Sequence, residues 1–230
     1  MFFDPTYILM VLLPGLIISG IASMLVRSAF AKYSKVAGSQ GYTGAQAAQI
    51  LLEHAGIGDV RIVPTNGYLS DHYNPATKQL ALSEDVYASR SIAALGVACH
   101  EAGHAIQHAR GYAPLGLRSA LVPLAGIGSG VGDLVMTVGL FLLSPSVVMI
   151  GALLFSAVLL FQLVTLPVEF DATARAKKLI VDTGIITPQE RDGVDSVLNA
   201  AALTYVAAVV STLLTLLYFL MRSGLLGNRD

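Results

Sequence analysis

Four stretches of the chain are almost wholly apolar: Tyr7 to Val26, Ser119 to Leu143, Pro145 to Pro167 and Val197 to Met221. Each is long enough to cross a hydrocarbon core, which takes about 20 residues of helix. Three of them contain no charged residue, whereas the second holds Asp133 and the glycine-rich run GIGSGVG, a pattern that favours close helix packing. Neither a preceding Lys or Arg nor a following A-x-A site marks the first stretch as a secretory signal, so it reads as a retained anchor. Between the first and second spans the pattern changes. Thr43 followed by Gln46 has the form of a capping box opening a helix through QAAQILLEHAGI, with Gly56 or Gly58 to end it. VRIVP then predicts a short strand, NGYLSDHYNPATK supplies turn residues, and KQLALS alternates as a half-buried strand does. Ser83 is placed to cap a short turn of helix, and a longer helix runs from about Ser91 through HEAGHAIQH to Gly111. The order helix, strand pair, helix makes a small α+β unit. Its core is modest, so it depends on neighbouring helices and on any bound metal.

Composition agrees with a membrane protein. Of the 230 residues 54% are hydrophobic and 13% charged, against roughly a quarter charged in soluble domains. A net charge of −1 without a Lys/Arg patch gives no electrostatic basis for nucleic acid as a partner. The expected partners are a lipid bilayer and a peptide or protein substrate. Eight of the basic residues lie between Arg27 and Arg118 and four between Glu169 and Ser196, on the same side if the four stretches all cross. By the positive-inside rule that side is the cytoplasm and both termini are outside, with Arg27, Lys32 and Lys35 as the firmest markers. Cys99, the single cysteine, forms no internal disulfide and reads as a small buried hydrophobe rather than a ligand.

The chemistry lies in VACHEAGHAIQHARGY. His100 and His104 are four residues apart, so on a helix both imidazoles leave one face. Two nitrogens so placed reach one zinc ion at about 2.0–2.1 Å. Glu101 beside them is positioned to hold a water on that ion and take its proton. HEAGH is thus a complete H-E-x-x-H, expected by chance in about two in a thousand chains of this His and Glu content. The alternative, polar residues on an amphipathic helix, fits poorly with the small and apolar residues around them.

A third ligand is required. His108 is about 12 Å along the axis from His100, too far on a straight helix to share its ion, and reads as a surface residue or an outer contact. The spacing H-E-x-x-H-x-x-G-x-x-H also fails, since its last position is Arg110. Glu169 is the better choice. It stands where the third span ends, two crossings return it to the side of HEAGH, and a new helix after Pro167 is expected to carry it. Its competing role is a carboxylate at that helix's N-terminus. Asp171, two residues on, faces away and is expected to cap or meet solvent.

Three segments together, HEAGHAIQHARGYAPLGLRSALVPLA, the upstream DHYNPATKQLALSEDVYASRSIAALGVAC, and LPVEFDATARAKKL, resemble the neutral zinc metallopeptidases of bacterial membranes. That family is similar in plan to the membrane heat-shock proteases and the prenyl-protein endoproteases, zincins whose third ligand is glutamate. The resemblance implies zinc held by His100, His104 and Glu169, with Glu101 as general base. Related gluzincins often place Asp four residues after the ligand glutamate, against a zinc histidine. Here Thr173 stands there, a hydroxyl with no negative charge.

The expectation is therefore an α+β membrane protein, mostly α, with four transmembrane helices and a small zincin-like catalytic unit. Its parts are an anchor helix (1–26), the catalytic segment with HEAGH (27–118), two transmembrane helices (119–168), a cytoplasmic helix carrying the third ligand (169–196) and a last transmembrane helix with a short tail (197–230). The expected activity is peptide-bond hydrolysis at the cytoplasmic face of a bacterial inner membrane. KQLALS is either an edge strand that pairs with extended substrate or an ordinary internal strand. His72, Tyr73, Tyr112 and Arg175 are available as transition-state donors, with nothing to choose among them. Asp133 should face protein or water in a structural hydrogen bond rather than act in catalysis. The competing functions are a scaffold or adaptor with a purely structural zinc, in which Glu101 is dispensable, and, on hydrophobicity alone, a small transporter.

Overall fold

The computed structural model describes residues 4–227. In chain order its elements are α1 (Pro5–Tyr33), α2 (Gly44–His54), β1 (Arg61–Thr65), β2 (His72–Asn74), β3 (Gln79–Ser83), α3 (Glu84–Tyr87), α4 (Ile92–Ala109), α5 (Ala113–Phe141), α6 (Pro145–Asp182) and α7 (Pro188–Arg222). α1, α5, α6 and α7 are the four helices long and apolar enough to cross a membrane. All four are longer than the apolar stretches, because the backbone ladder continues after continuous hydrophobicity ends, as in the mixed segment Arg27–Tyr33 of α1. α1 and α5 each contain a π-helical turn, at Ile8–Leu12 and Gly128–Gly132. The second of these lies within the GIGSGVG run, so that span is irregular at its glycines, and half-buried Asp133 follows directly.

The local signals hold where a side chain can close a helix end by itself. Thr43 and Gln46 form the capping box, with Gln46 N donating to Thr43 Oγ1 at 3.2 Å and Thr43 N to Gln46 Oε1 at 2.9 Å. Ser91 caps α4 by accepting from Ala94 N, and Gly111 takes a φ of +63° just past its end. Ser83 precedes α3 but makes no capping bond, because its hydroxyl and its amide both donate to Asp71.

Two expectations are corrected. Pro167 does not start a new helix: α6 runs unbroken from Pro145 to Asp182 with the proline inside it. A proline forfeits one ladder bond and strains its own turn, and the following residues Val168, Ala172, Ala176 and Ile180 are all buried, so packing carries the helix on past the proline. The sheet has three strands, not a pair, in the order β1-β3-β2, with β3 parallel to β1 and antiparallel to β2. KQLALS is therefore the central strand, and β1 and β2 are the edges. β2 hides in the sequence because His72–Asn74 is too short to alternate and is flanked by turn formers.

The chain divides into two compact units whose boundaries fall inside the long helices. One comprises Met1–Ala22, Gly116–Leu166 and Thr204–Asp230, and its interior gathers Val11, Met136, Val148, Phe155, Leu216 and Phe219. The other comprises Ser23–Leu115 and Pro167–Leu203. Its core is larger and joins Leu51, Leu80, Leu82, Leu95, Ile180 and Ile185 from α2, β3, α4, α6 and the turn that follows α6.

Candidate metal centre

α4 is built from small residues along the stretch GVACHEAGHA, and smallness sets how near another backbone can come. At Gly103 a Cβ would lie 2.8 Å from the carbonyl oxygen of Ala172, so the inner x of HEAGH is where α4 touches the backbone of α6. That contact sets the neighbours of Ala172 against the histidines. His100 and His104, one turn apart, stand edge to face with ring centroids 4.8 Å apart. Glu169 Oε2 lies 3.2 Å from His100 Nε2 and 3.5 Å from His104 Nε2. One ligand atom from each of the three residues lies within 4.8 Å of the others.

The two distances from Glu169, 3.2 and 3.5 Å, fit a shared metal. Three ligand atoms at about 2.0–2.2 Å from one ion and at tetrahedral angles are about 3.3–3.6 Å apart. The donor set, two imidazoles and a carboxylate, is the type that holds zinc with a position left for water. Glu169 is 1% exposed, and a carboxylate buried so completely requires cationic or hydrogen-bonding partners. Burial by itself pulls the His104 pKa down, but its hydrogen bond to the Glu169 carboxylate and the charges of Glu101 and Glu169 outweigh it and hold the imidazole above its ordinary value. Glu101, next along α4, is also buried.

The outer contacts divide by histidine. Thr173 Oγ1 is 3.2 Å from His100 Nδ1, so the hydroxyl anticipated from the sequence does meet a ring of the pair. On His104 the corresponding group is Gln107, whose Oε1 is 3.0 Å from Nδ1. Sequence reasoning missed Gln107. Its place three residues beyond His104 puts it on the same helix face, but its complete burial is seen only in the structure. Asp171 is corrected as well: it neither caps nor stands free in solvent, but accepts from Gln107 Nε2 at 2.8 Å and from Arg175 Nε at 2.5 Å.

The remaining candidates lie elsewhere. His108 Nδ1 pairs with Tyr73 Oη at 2.8 Å, outside the three-residue cluster. His72 is exposed and bonds Ser70 O. Tyr112 lies beneath the Arg175 guanidinium, 5.9 Å from its ring centroid, with a long 3.5 Å bond to Pro167 O. Cys99 is fully buried, and burial pushes its thiol up, which suits packing and not ligation.

The family described as "Putative neutral zinc metallopeptidase" matches residues 7–224 of the chain. The chain is also 48% identical over 200 residues to the "Putative membrane protease YugP" of Bacillus subtilis (strain 168), covering 87% of this chain and 89% of that protein. No solved structure matches it.

Proposed function

The chain belongs to this neutral zinc metallopeptidase family, and from that membership we propose that it is a membrane-embedded zinc endopeptidase. The observation that carries the reading is the convergence of His100 Nε2, His104 Nε2 and Glu169 Oε2, from two separate helices, beside the buried Glu101. His100, His104 and Glu169 are the ligands in a zincin-like, gluzincin-type arrangement, and the carboxylate offsets part of the ion's charge. Zinc held there supplies a Lewis acid for the scissile carbonyl and lowers the pKa of a water. Glu101 takes a proton from the attacking water and returns it to the leaving amine. Over one cycle the hydroxyl goes to the carbonyl carbon, the hydrogen to nitrogen, and the peptide C–N bond breaks. The buried surroundings strengthen these charge interactions.

The metal-capable group among the described residues is His100, His104 and Glu169, one ligand short of a closed tetrahedral site. That favours an open catalytic position over the structural zinc of a scaffold. Glu101→Gln tests the choice. Zinc should stay near one per chain by elemental analysis, while cleavage of a casein-type or membrane substrate falls by about a hundredfold or more. Unchanged cleavage overturns the enzyme reading.

We place the protein in a bacterial inner membrane with residues 27–118 and 169–196 on the cytoplasmic side, supported by their basic residues. Reporter fusions at Pro5 and after Lys35 should read outside and inside respectively. The opposite pattern moves the site across the membrane.

A further inference from the structure

Gln107 is the most buried polar side chain of α4, at 0% exposure, and every polar atom of its amide has a protein partner. Its Nε2 donates to Val168 O at 2.7 Å and to Asp171 Oδ2 at 2.8 Å. A backbone carbonyl and a carboxylate are acceptors only, so the end of the amide that faces them has to be nitrogen. The end that faces His104 Nδ1 is then the oxygen, and it requires a proton on Nδ1. A proton fixed on Nδ1 leaves Nε2, which faces Glu169, as the nitrogen that gives up its proton and binds the metal. Asp171 is held in its turn by the two bonds from Arg175, Nε to Oδ2 at 2.5 Å and Nη2 to Oδ1 at 3.2 Å. His100 has no such chain. Its Nδ1 meets the Thr173 hydroxyl, which rotates and can donate or accept.

We infer that Gln107, locked by Asp171 and Arg175, is a positioning residue that fixes the tautomer and ring orientation of His104 for metal binding. The inference rests on the metallopeptidase reading and adds to it the residues that set the second imidazole. It accounts for an amide and an ion pair at this place, where a mere tie between α4 and α6 needs neither a particular amide orientation nor a guanidinium behind the carboxylate.

The test uses the full chain in detergent, with zinc titrated against a chromophoric chelator and cobalt(II) as a spectroscopic substitute. Gln107→Leu keeps the volume and removes the acceptor. Folded by circular dichroism, it should bind zinc about ten- to a hundredfold more weakly, with altered cobalt absorption. Gln107→Glu keeps an acceptor for His104 but sets a second oxygen against Val168 O and Asp171, so it should also bind weakly. Adding Asp171→Asn to Gln107→Glu offers that oxygen an amide donor, gives up the Arg175 Nε bond at the same atom while Oδ1 still accepts from Nη2, and should recover part of the affinity and of the cobalt spectrum. A space-filling role does not give that recovery. Wild-type affinity and spectrum in folded Gln107→Leu overturn the inference and leave the metallopeptidase reading standing. If Gln107→Leu does not fold, the pair decides, and lack of recovery overturns it. A wild-type chain that binds no zinc defeats both.

Discussion

Helix packing in the two units uses one device for two ends. In the first unit a Cβ at Gly151 would lie 2.4 Å from Met136 N, and one at Gly132 would lie 2.7 Å from Phe155 N, so α5 and α6 run backbone to backbone. Outward from there stand Leu134, Phe141, Ile150 and Leu153, all exposed and apolar, as in helices that meet lipid. Lipid is as apolar as those side chains, so close contact rather than hydrophobic exclusion has to hold such helices together. In the second unit Gly103 makes the same kind of approach to Ala172, yet the residues on either side of the contact are His100, His104, Glu169 and Thr173. The short distance stabilises packing in one unit, and in the other it also sets the spacing of ligand atoms. The difference is chemical: a site of polar groups tolerates far less displacement than an interface of methyl groups.

The sharpest way to break the comparison is to remove a ligand. Glu169→Ala should reduce zinc from about one per chain to near zero by elemental analysis, because two imidazoles alone hold the ion weakly. His108→Ala, one helical turn beyond His104, should leave it in place. Retention in the first variant with loss in the second would reverse the assignment of ligands. Next in size is the pair of glycines. Gly103→Ala and Gly151→Ala each force a backbone apart and should each destabilise by about 1–3 kcal/mol, read from unfolding in detergent. Only Gly103→Ala should also weaken zinc binding in the folded chain. Equal loss from both would show that the packing of the two units is not separable in this way.

How much of this was legible follows from the range of each interaction. The four spans, the Thr43 capping box and the Gly111 stop are written in consecutive residues and are found where the sequence puts them. HEAGH was legible as a spacing on one helix, and Glu169 as the carboxylate expected where the third apolar stretch ends. The rest depends on distant partners. β2 exists only because His72–Asn74 pairs with β3, and that third strand is what makes KQLALS central. The unbroken course of α6 through Pro167 is decided by burial on the far side of the proline, which no local propensity weighs. Gln107 meets Val168 and Asp171 across more than sixty residues, so its role was invisible to any local pattern.

The smallest expected effect sharpens the comparison within the site itself. Thr173 is buried and touches His100 through a hydroxyl whose proton can point either way. Thr173→Val removes that bond at nearly constant volume and leaves His100 Nδ1 without this partner. The ring still has Glu169 and, in the holoprotein, the ion to hold it, so the loss in zinc affinity should lie near the lower end of the range for such contacts, about tenfold. Thr173→Asp places a charge where a related glutamate-type site carries one, and it should bind zinc at least as tightly as the wild-type chain. The direction matters more than the size. If the aspartate weakens binding while Thr173→Val does not, then the neutral hydroxyl is suited to a ring already facing one buried carboxylate, and a second anion there costs more in desolvation than it returns in orientation. Chelator competition on the two variants, each compared with Gln107→Leu, ranks the two histidines by how firmly each is held.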